Sequence, residues 1–362
     1  MPRGPTIAFA GGGHAHLYSL RRTGELTARG FDVVLVSPSP YLYYSWMATG
    51  VISGLYDPSE TRVDVRNLVE SGGGRFVEGR VERVLDGELS LEGGGTVAFD
   101  AASFNLGSAT PQISGADERS IPVKPVENAS LIRELALAAG GRGSGVLVAG
   151  GGAAGCEVAA SLLALPVDVR LTIAEAGDRL LPESPARAGK MMQDLLLERG
   201  AQVLLNSPVE DHGDGVARFG GREIPHGLFV RAVGLSPTDV FRRSAGDGLG
   251  LLTGDDGGLW VDRHLRSVSD SRLFGGGDSI AYRGGRLPRL GVFAVRQGPV
   301  IFHNLQAALL EEPLQSYEPQ RRYLYILNLG DGTGLAVYGS QVYRGRLALM
   351  VKHRIDSRFV AS

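Results

Sequence analysis

The sequence predicts a three-layer α/β fold in which one plan is used twice. Apolar runs at Thr6 to Ala10, Phe31 to Val36, Gly145 to Ala149, Val167 to Ile173 and Gln202 to Leu205 alternate with helix-compatible stretches, the order expected of parallel βαβ units. Short apolar and polar alternations then follow each copy. One is Val77 to Phe99, with its LEGGGT turn, and a second meander begins near Val216. The copies start at Thr6 and at Gly145, so the duplication is of architecture and not of sequence.

Length and composition agree. A chain of 362 residues, 43% hydrophobic and 21% charged, suits two packed domains. Its 53 glycines sit at turns between apolar runs and carry no collagen period. A formal charge of −2 with dispersed basic residues provides no field for nucleic acid, which is excluded as a partner. No apolar segment approaches the roughly 20 residues a membrane helix needs, and MPRGPTIAFA lacks the core of a secretion signal. The expected location is therefore cytoplasmic. Cys156 is the only cysteine, which rules out an intramolecular disulfide, a CxxC pair and a cysteine-built metal site.

The first element, TIAFAGGGHAHLYSL, runs from an apolar strand into Gly11, Gly12 and Gly13. Gly11 and Gly13 fit the first two positions of a GxGxxG dinucleotide fingerprint, but His16 stands where a third glycine lets the helix lie against its strand. The acid expected at the end of the next strand is replaced by Ser37, which can hydrogen-bond a ribose without charge. By spacing alone this loop stays open between a nucleotide site and a structural turn. His14 and His16 do not suggest a metal pair, because no further His, Asp or Glu clusters beside them.

The second copy is complete. In GVLVAGGGAAGCEVAASLLA a strand runs into Gly150, Gly152 and Gly155, which serve a tight turn, close approach to a pyrophosphate and helix packing on the strand. Ala154 lies within the same loop, and the helix start offers free N–H groups to phosphate. The next strand ends in Glu175, 20 residues past Gly155, the offset of a carboxylate that binds a ribose 2′-hydroxyl. Such a carboxylate repels a 2′-phosphate, so NADH is expected over NADPH, although Arg179 is close enough in sequence to meet a phosphate.

A resemblance now extends the reading. The runs SPSPYLYYSWMATGVISGLY, VDVRNLVE, FNLGSATP, IPVKP, LFGGGDSIAY and GVFAVRQGPVIFHNL resemble the two-dinucleotide-domain flavoproteins of the pyridine nucleotide disulfide oxidoreductase superfamily. Within it, the chain is most similar to the type II NADH dehydrogenase-like branch and to flavoprotein modules fused to selenide, water dikinase. The resemblance implies two Rossmann-like domains, one for FAD and one for NAD(P). It implies non-covalent FAD at Gly11, Gly12, Gly13, His14, Ala15, His16, Ser37, Val81, Gly107, Asp278, Val295 and Gln297, with Gln297 beside the flavin ring. It also implies that Gly234 passes near the nicotinamide, and that Glu157, on the first turn after the second loop, approaches the nicotinamide and flavin edge as a catalytic residue. The other reading of Glu157 is an acid favoured by a helix N-terminus. The domains expected are 1–118 with 265–317 for FAD, 119–264 for NAD(H), and a C-terminal region 318–362, with linkers near 114–124 and 261–271.

The reaction implied is hydride transfer from NADH, with NADPH as a further donor, to flavin and then to an acceptor. Relatives that relay electrons through a CxxxxC disulfide are no guide here, because Cys156 belongs to the second glycine loop and reads as a small packing residue. Direct transfer to a quinone or quinone-like acceptor is expected. The alternatives are a reductase of an electron-carrier protein and a redox sensor that binds dinucleotide without turnover. In the tail, Val351, Ile355 and Phe359 recur at four-residue spacing beside Lys352, His353, Arg354 and Arg358. That stripe is open between peripheral contact with the inner face of the cell membrane and packing on its own domain or a homodimer mate.

Overall fold

The computed structural model describes residues 4–113, 115, 118–219, 221–245 and 250–361. Residues 114, 116 and 117 of the expected first linker lie outside the described residues. The strands of the two principal sheets, in chain order, are β1 (Thr6–Ala10), β2 (Asp32–Ser37), β3 (Arg75–Glu78), β4 (Ala101–Phe104), β5 (Ser120–Pro122), β6 (Gly145–Ala149), β7 (Arg170–Ala174), β8 (Gln202–Leu204), β9 (Leu228–Arg231) and β10 (Leu273–Gly275). The helices used below are α1 (Leu17–Leu20), α2 (Ala153–Leu162), α3 (Gly291–Leu309) and α4 (Arg346–Ala361).

The chain forms two units. Unit 1 comprises residues 1–42, 63–109 and 235–321. Its five-stranded sheet has the order β10-β4-β1-β2-β3, and every pairing is parallel. Ile7, Ala8, Phe9 and Ala10 are fully buried, which is why β1 reads as an unbroken apolar run and not as an alternation. Unit 2 comprises residues 43–62, 110–234 and 322–362, and its parallel sheet has the order β5-β9-β6-β7-β8. The two sheets repeat one topology. In each, the strand that opens the copy is central and the strand order reverses at its carboxyl end, where open α/β sheets bind ligands. A three-stranded antiparallel meander accompanies each copy, at Val81–Leu85, Glu88–Leu91 and Thr96–Ala98 and at Val209–Gly213, Val216–Phe219 and Arg222–Pro225.

Besides small boundary shifts, with 110–118 in unit 2 and 318–321 in unit 1, the units differ from the expected domains at three places. Residues 235–264 group with unit 1, where Ser236–Pro237 pairs with Ser108–Ala109 and Leu259–Val261 pairs with Ile280–Tyr282. Residues 43–62 group with unit 2, where Arg133 donates to the Ile52 carbonyl at 2.7 Å and Tyr44 stacks on Phe359 with centroids 4.5 Å apart. The tail also belongs to unit 2, as a sheet of β11 (Leu324–Asn328), β12 (Gly334–Tyr338) and β13 (Gln341–Gly345) that packs with α4. The stripe of Val351, Ile355 and Phe359 is split on α4, for Phe359 packs on Tyr44 while the other two are exposed. The inward positions are Ala348, Lys352 and Asp356, while Leu347, Met350, Val351 and Ile355 are exposed.

Candidate dinucleotide sites

In unit 2 the three fingerprint glycines have separable reasons. Gly150 adopts φ +104°, and a Cβ on it would stand 2.4 Å from the Ala232 carbonyl oxygen. A Cβ on Gly155 would stand 1.9 Å from the Gly150 carbonyl oxygen, so glycine lets α2 lie against the turn. Gly152 is different. It caps α2 with extended backbone and no side-chain cap, and no protein atom lies within 4 Å of where its Cβ would be. Nothing in the protein requires glycine there; the space and the unpartnered N–H groups of the first helical turn suit a phosphate. Ala154 is exposed on that turn. Gly234 likewise combines φ +63° with open space beside it.

Glu175 follows β7 and clasps this loop. Its Oε2 accepts from the Gly151 amide at 2.5 Å and its Oε1 from the Gly177 amide at 2.8 Å. Arg179 donates to the carbonyls of Leu181 and Ser184, each at 3.0 Å, and to that of Pro182. Its guanidinium is thereby engaged by backbone oxygens. The arginine that sequence set against the NADH preference is occupied in shaping the segment after β7.

In unit 1 the loop is held by side chains. Gly11 has φ +86°, and a Cβ on Gly13 would stand 2.1 Å from Asn105 Oδ1. Asn105 Oδ1 accepts from the Ala15 amide at 2.9 Å, and its Nδ2 donates to the Gly276 carbonyl at 2.8 Å. Gln297, 1% exposed on α3, accepts from the Gly277 amide at 2.7 Å. Ser279 Oγ accepts from Leu106 and Gly107 at 2.7 and 3.1 Å, and Ser108 donates to Asp278 at 2.6 Å. Three glycine-bearing segments are thus knitted into one rim. Gly107 faces open space at φ +74°, Ser37 lies at the end of β2 beside Gly12, and Val295 is exposed on α3. The Val81 side chain is core, so only its backbone can serve a ligand. Open glycines, a strand-end hydroxyl and an acid on one parallel sheet's loops fit a dinucleotide.

His16 needs correction. The ring is fully buried, with Nδ1 2.6 Å from the Gly11 carbonyl oxygen, Nε2 2.8 Å from Ser103 Oγ, and an edge-to-face contact with Phe9 at 5.0 Å. Burial pushes the imidazole down to about 4, so it is neutral at pH 7, donating from Nδ1 and accepting at Nε2. Both nitrogens serve the protein. His16 braces the glycine loop against β4 and does not reach toward a cofactor, and α1 starts only after it and lasts four residues.

Gln297 also acts through its loop: its amide oxygen holds Gly277, so it positions the GGGD turn from within the core. Glu157 is 7% exposed on α2, and its Oε1 accepts from the Asn328 amide of β11 at 2.6 Å. Burial raises its carboxyl, opposed by Lys352 of α4. Sequence missed Asn105, Ser279, Asn328 and Lys352. Asn105 alone left a signal, as a polar residue directly after an apolar strand.

The family model described as pyridine nucleotide-disulphide oxidoreductase matches residues 5–298. Demethylphylloquinone reductase NdbB of Synechocystis sp. is 25% identical over 376 residues, covering 97% of this chain and 91% of that protein. Ferroptosis suppressor protein 1 of Taeniopygia guttata is 26% identical over 227 residues, 58% of this chain, and the chain spans only 57% of that relative's length. Among solved structures, NDH2 from Plasmodium falciparum in complex with NADH shares the fold, with a TM-score of 0.83 and 15% identity over 99% of this chain and 96% of that one.

Proposed function

The chain belongs to the pyridine nucleotide-disulphide oxidoreductase family, and from that premise we propose that unit 1 holds FAD, unit 2 takes up NADH, and electrons pass to a quinone or quinone-like acceptor without a redox disulfide. The observation that carries this reading is the repeated sheet topology, with a glycine loop after the central strand of each unit. FAD, when bound, supplies acceptance of a hydride and onward transfer of two electrons. The residues of unit 1 hold it through Gly11, Gly12, Gly13 and Ser37, with Asp278 and the backbone of Val81, Gly107 and Val295 along its length. Gly150, Gly152, Ala154 and Gly155 seat the NADH pyrophosphate, Glu175 takes the ribose, and Gly234 and Glu157 serve the nicotinamide end.

The single thiol supports the absence of a sulfur relay. Cys156 is fully buried, donates to the Gly151 carbonyl at 3.1 Å, and burial pushes its thiol well above the ordinary range. The test is the absorption spectrum of the purified protein before and after anaerobic NADH. A flavin spectrum that bleaches, then recovers faster with quinones than with ferredoxin-like carriers, is expected. A colourless protein that FAD cannot reconstitute would overturn the reading.

Gly152 offers a sharper check. Gly152→Val should lower the melting temperature by only a few degrees, the cost of a poorer helix cap in open space, yet raise the NAD+ Kd by about tenfold or more, or ~1.4 kcal/mol. Isothermal titration of the oxidised protein with NAD+ and thermal melts separate the two effects.

The exposed face of α4 favours peripheral binding at a membrane surface. Leu347, Met350, Val351 and Ile355 point outward among Arg346, Arg354 and Arg358, and no exposed acid interrupts them on this helix. No described helix is long and apolar enough to cross a membrane. Ile355→Glu with Met350→Glu is expected to abolish co-sedimentation with anionic vesicles while NADH reduction of the flavin is retained.

A further inference from the structure

Unit 2 buries two carboxyls and only one ammonium in one place. Lys352 and Asp356 lie one turn apart on the inward face of α4, each with its side chain 3% exposed, and Lys352 Nζ is 2.7 Å from Asp356 Oδ2 and 2.5 Å from the Trp46 carbonyl oxygen. Tyr44 adds a hydroxyl to Asp356. Glu157 feels both residues of the pair but is met by the Asn328 amide. One ammonium cannot neutralise two buried carboxylates, and an uncompensated buried charge is strongly unfavourable.

We propose that Asp356 is a positioning residue: by fixing Lys352 on itself it leaves Glu157 as the protonated carboxyl, a hydrogen-bond donor in the second turn of α2. The consequence for turnover rests on the reading that Glu157 serves the nicotinamide end; the competition for Lys352 does not. A neutral Glu157 can donate to a carboxamide oxygen, and it presents no anion to retain the positively charged ring of NAD+. Asp356 therefore favours release of the oxidised cofactor.

The groups that face this cluster bear the proposal out chemically. Segment 43–62 contributes Tyr44, Tyr56 and Glu60, α4 contributes His353 beside the pair, and β11 contributes the Asn328 amide. Burial holds Tyr44 far above its ordinary range and Tyr56 at about 12, so neither is an anion at neutral pH. His353 is exposed, with Nδ1 3.0 Å from the Tyr56 hydroxyl. Among the described residues, Lys352 is the one buried cation that the cluster offers either carboxyl.

The test uses the full FAD-loaded chain and pH-titrated infrared spectroscopy, with Glu157→Gln identifying the Glu157 carboxyl signal. Parent protein should show that carboxyl protonated at pH 7. Asp356→Asn should lower its midpoint by about one pH unit or more, because a nearby anion is removed and Lys352 becomes available. Lys352→Met should raise the midpoint, and adding Asp356→Asn to it should give a smaller fall than Asp356→Asn gives alone. An unchanged midpoint in Asp356→Asn, or a fall just as large when Asp356→Asn is added to Lys352→Met, would overturn the proposal. Should Asp356→Asn not fold, Lys352→Met decides alone: a midpoint that fails to rise refutes it. NAD+ affinity of the oxidised protein is the second readout, expected to tighten several-fold in Asp356→Asn. If the midpoint moves as described and NAD+ affinity does not, the competition stands and the placement of Glu157 at the nicotinamide fails.

Discussion

His16→Gly, which restores the third glycine of the first fingerprint, will destabilise the protein by about 3–5 kcal/mol. The change empties the volume of a fully buried aromatic ring and leaves Ser103 Oγ and the Gly11 carbonyl without their side-chain partner. The second signature is pH dependence. The folded imidazole titrates at about 4 against an ordinary 6.5, so the unfolded chain takes up the proton first. The stability present above pH 6.5 is lost as pH falls toward 4, and about 2 kcal/mol of it disappears between pH 7 and pH 5. Urea unfolding at several pH values should show this slope in the parent and its removal in the variant. An unchanged or improved variant would mean that the ring does not brace the loop.

Gly155→Ala will do comparable damage for the opposite reason. The added methyl would stand 1.9 Å from the Gly150 carbonyl oxygen, a backbone atom with no freedom to rotate aside, so α2 must lift from β6. Overpacking of this kind costs about 3 kcal/mol, and the lifted helix should weaken NADH binding as well. A melting temperature within a degree of the parent would contradict the close approach. Together with Gly152→Val, this variant divides one motif into a residue the fold needs and a residue the ligand needs.

Much of the architecture was legible because a parallel strand leaves an unbroken apolar run and a fingerprint leaves glycines at fixed intervals. The two copies, their meanders and the complete loop at Gly150 all follow from such local patterns. Strand limits moved by a few residues: the run from Val167 gives a strand only from Arg170. Long-range partners were illegible. Asn105 reaches the loop of Gly13 across ninety positions, and nothing near His16 says that Ser103 will meet its ring. The tail misled for a physical reason. An i,i+4 ion pair shielded from water lets a helix face inward with charge, so the stripe could not be assigned from spacing: Val351 and Ile355 face outward while Phe359 stacks on Tyr44.

The interleaving of the units has a consequence for how the protein is made. Each unit is assembled from three separate stretches, and the edge strand β10 of the first sheet is translated long after β1, β2, β3 and β4. At about 5–20 residues per second, the nascent chain spends tens of seconds with β4 lacking its outer neighbour. Unit 2 waits longer still, because α4, whose Lys352 reaches the Trp46 carbonyl, is translated after every strand of its parallel sheet. Neither unit can therefore complete itself until residues far along the chain have been made, and neither is one contiguous stretch. In that interval the open sheet edges are exposed to wrong pairing.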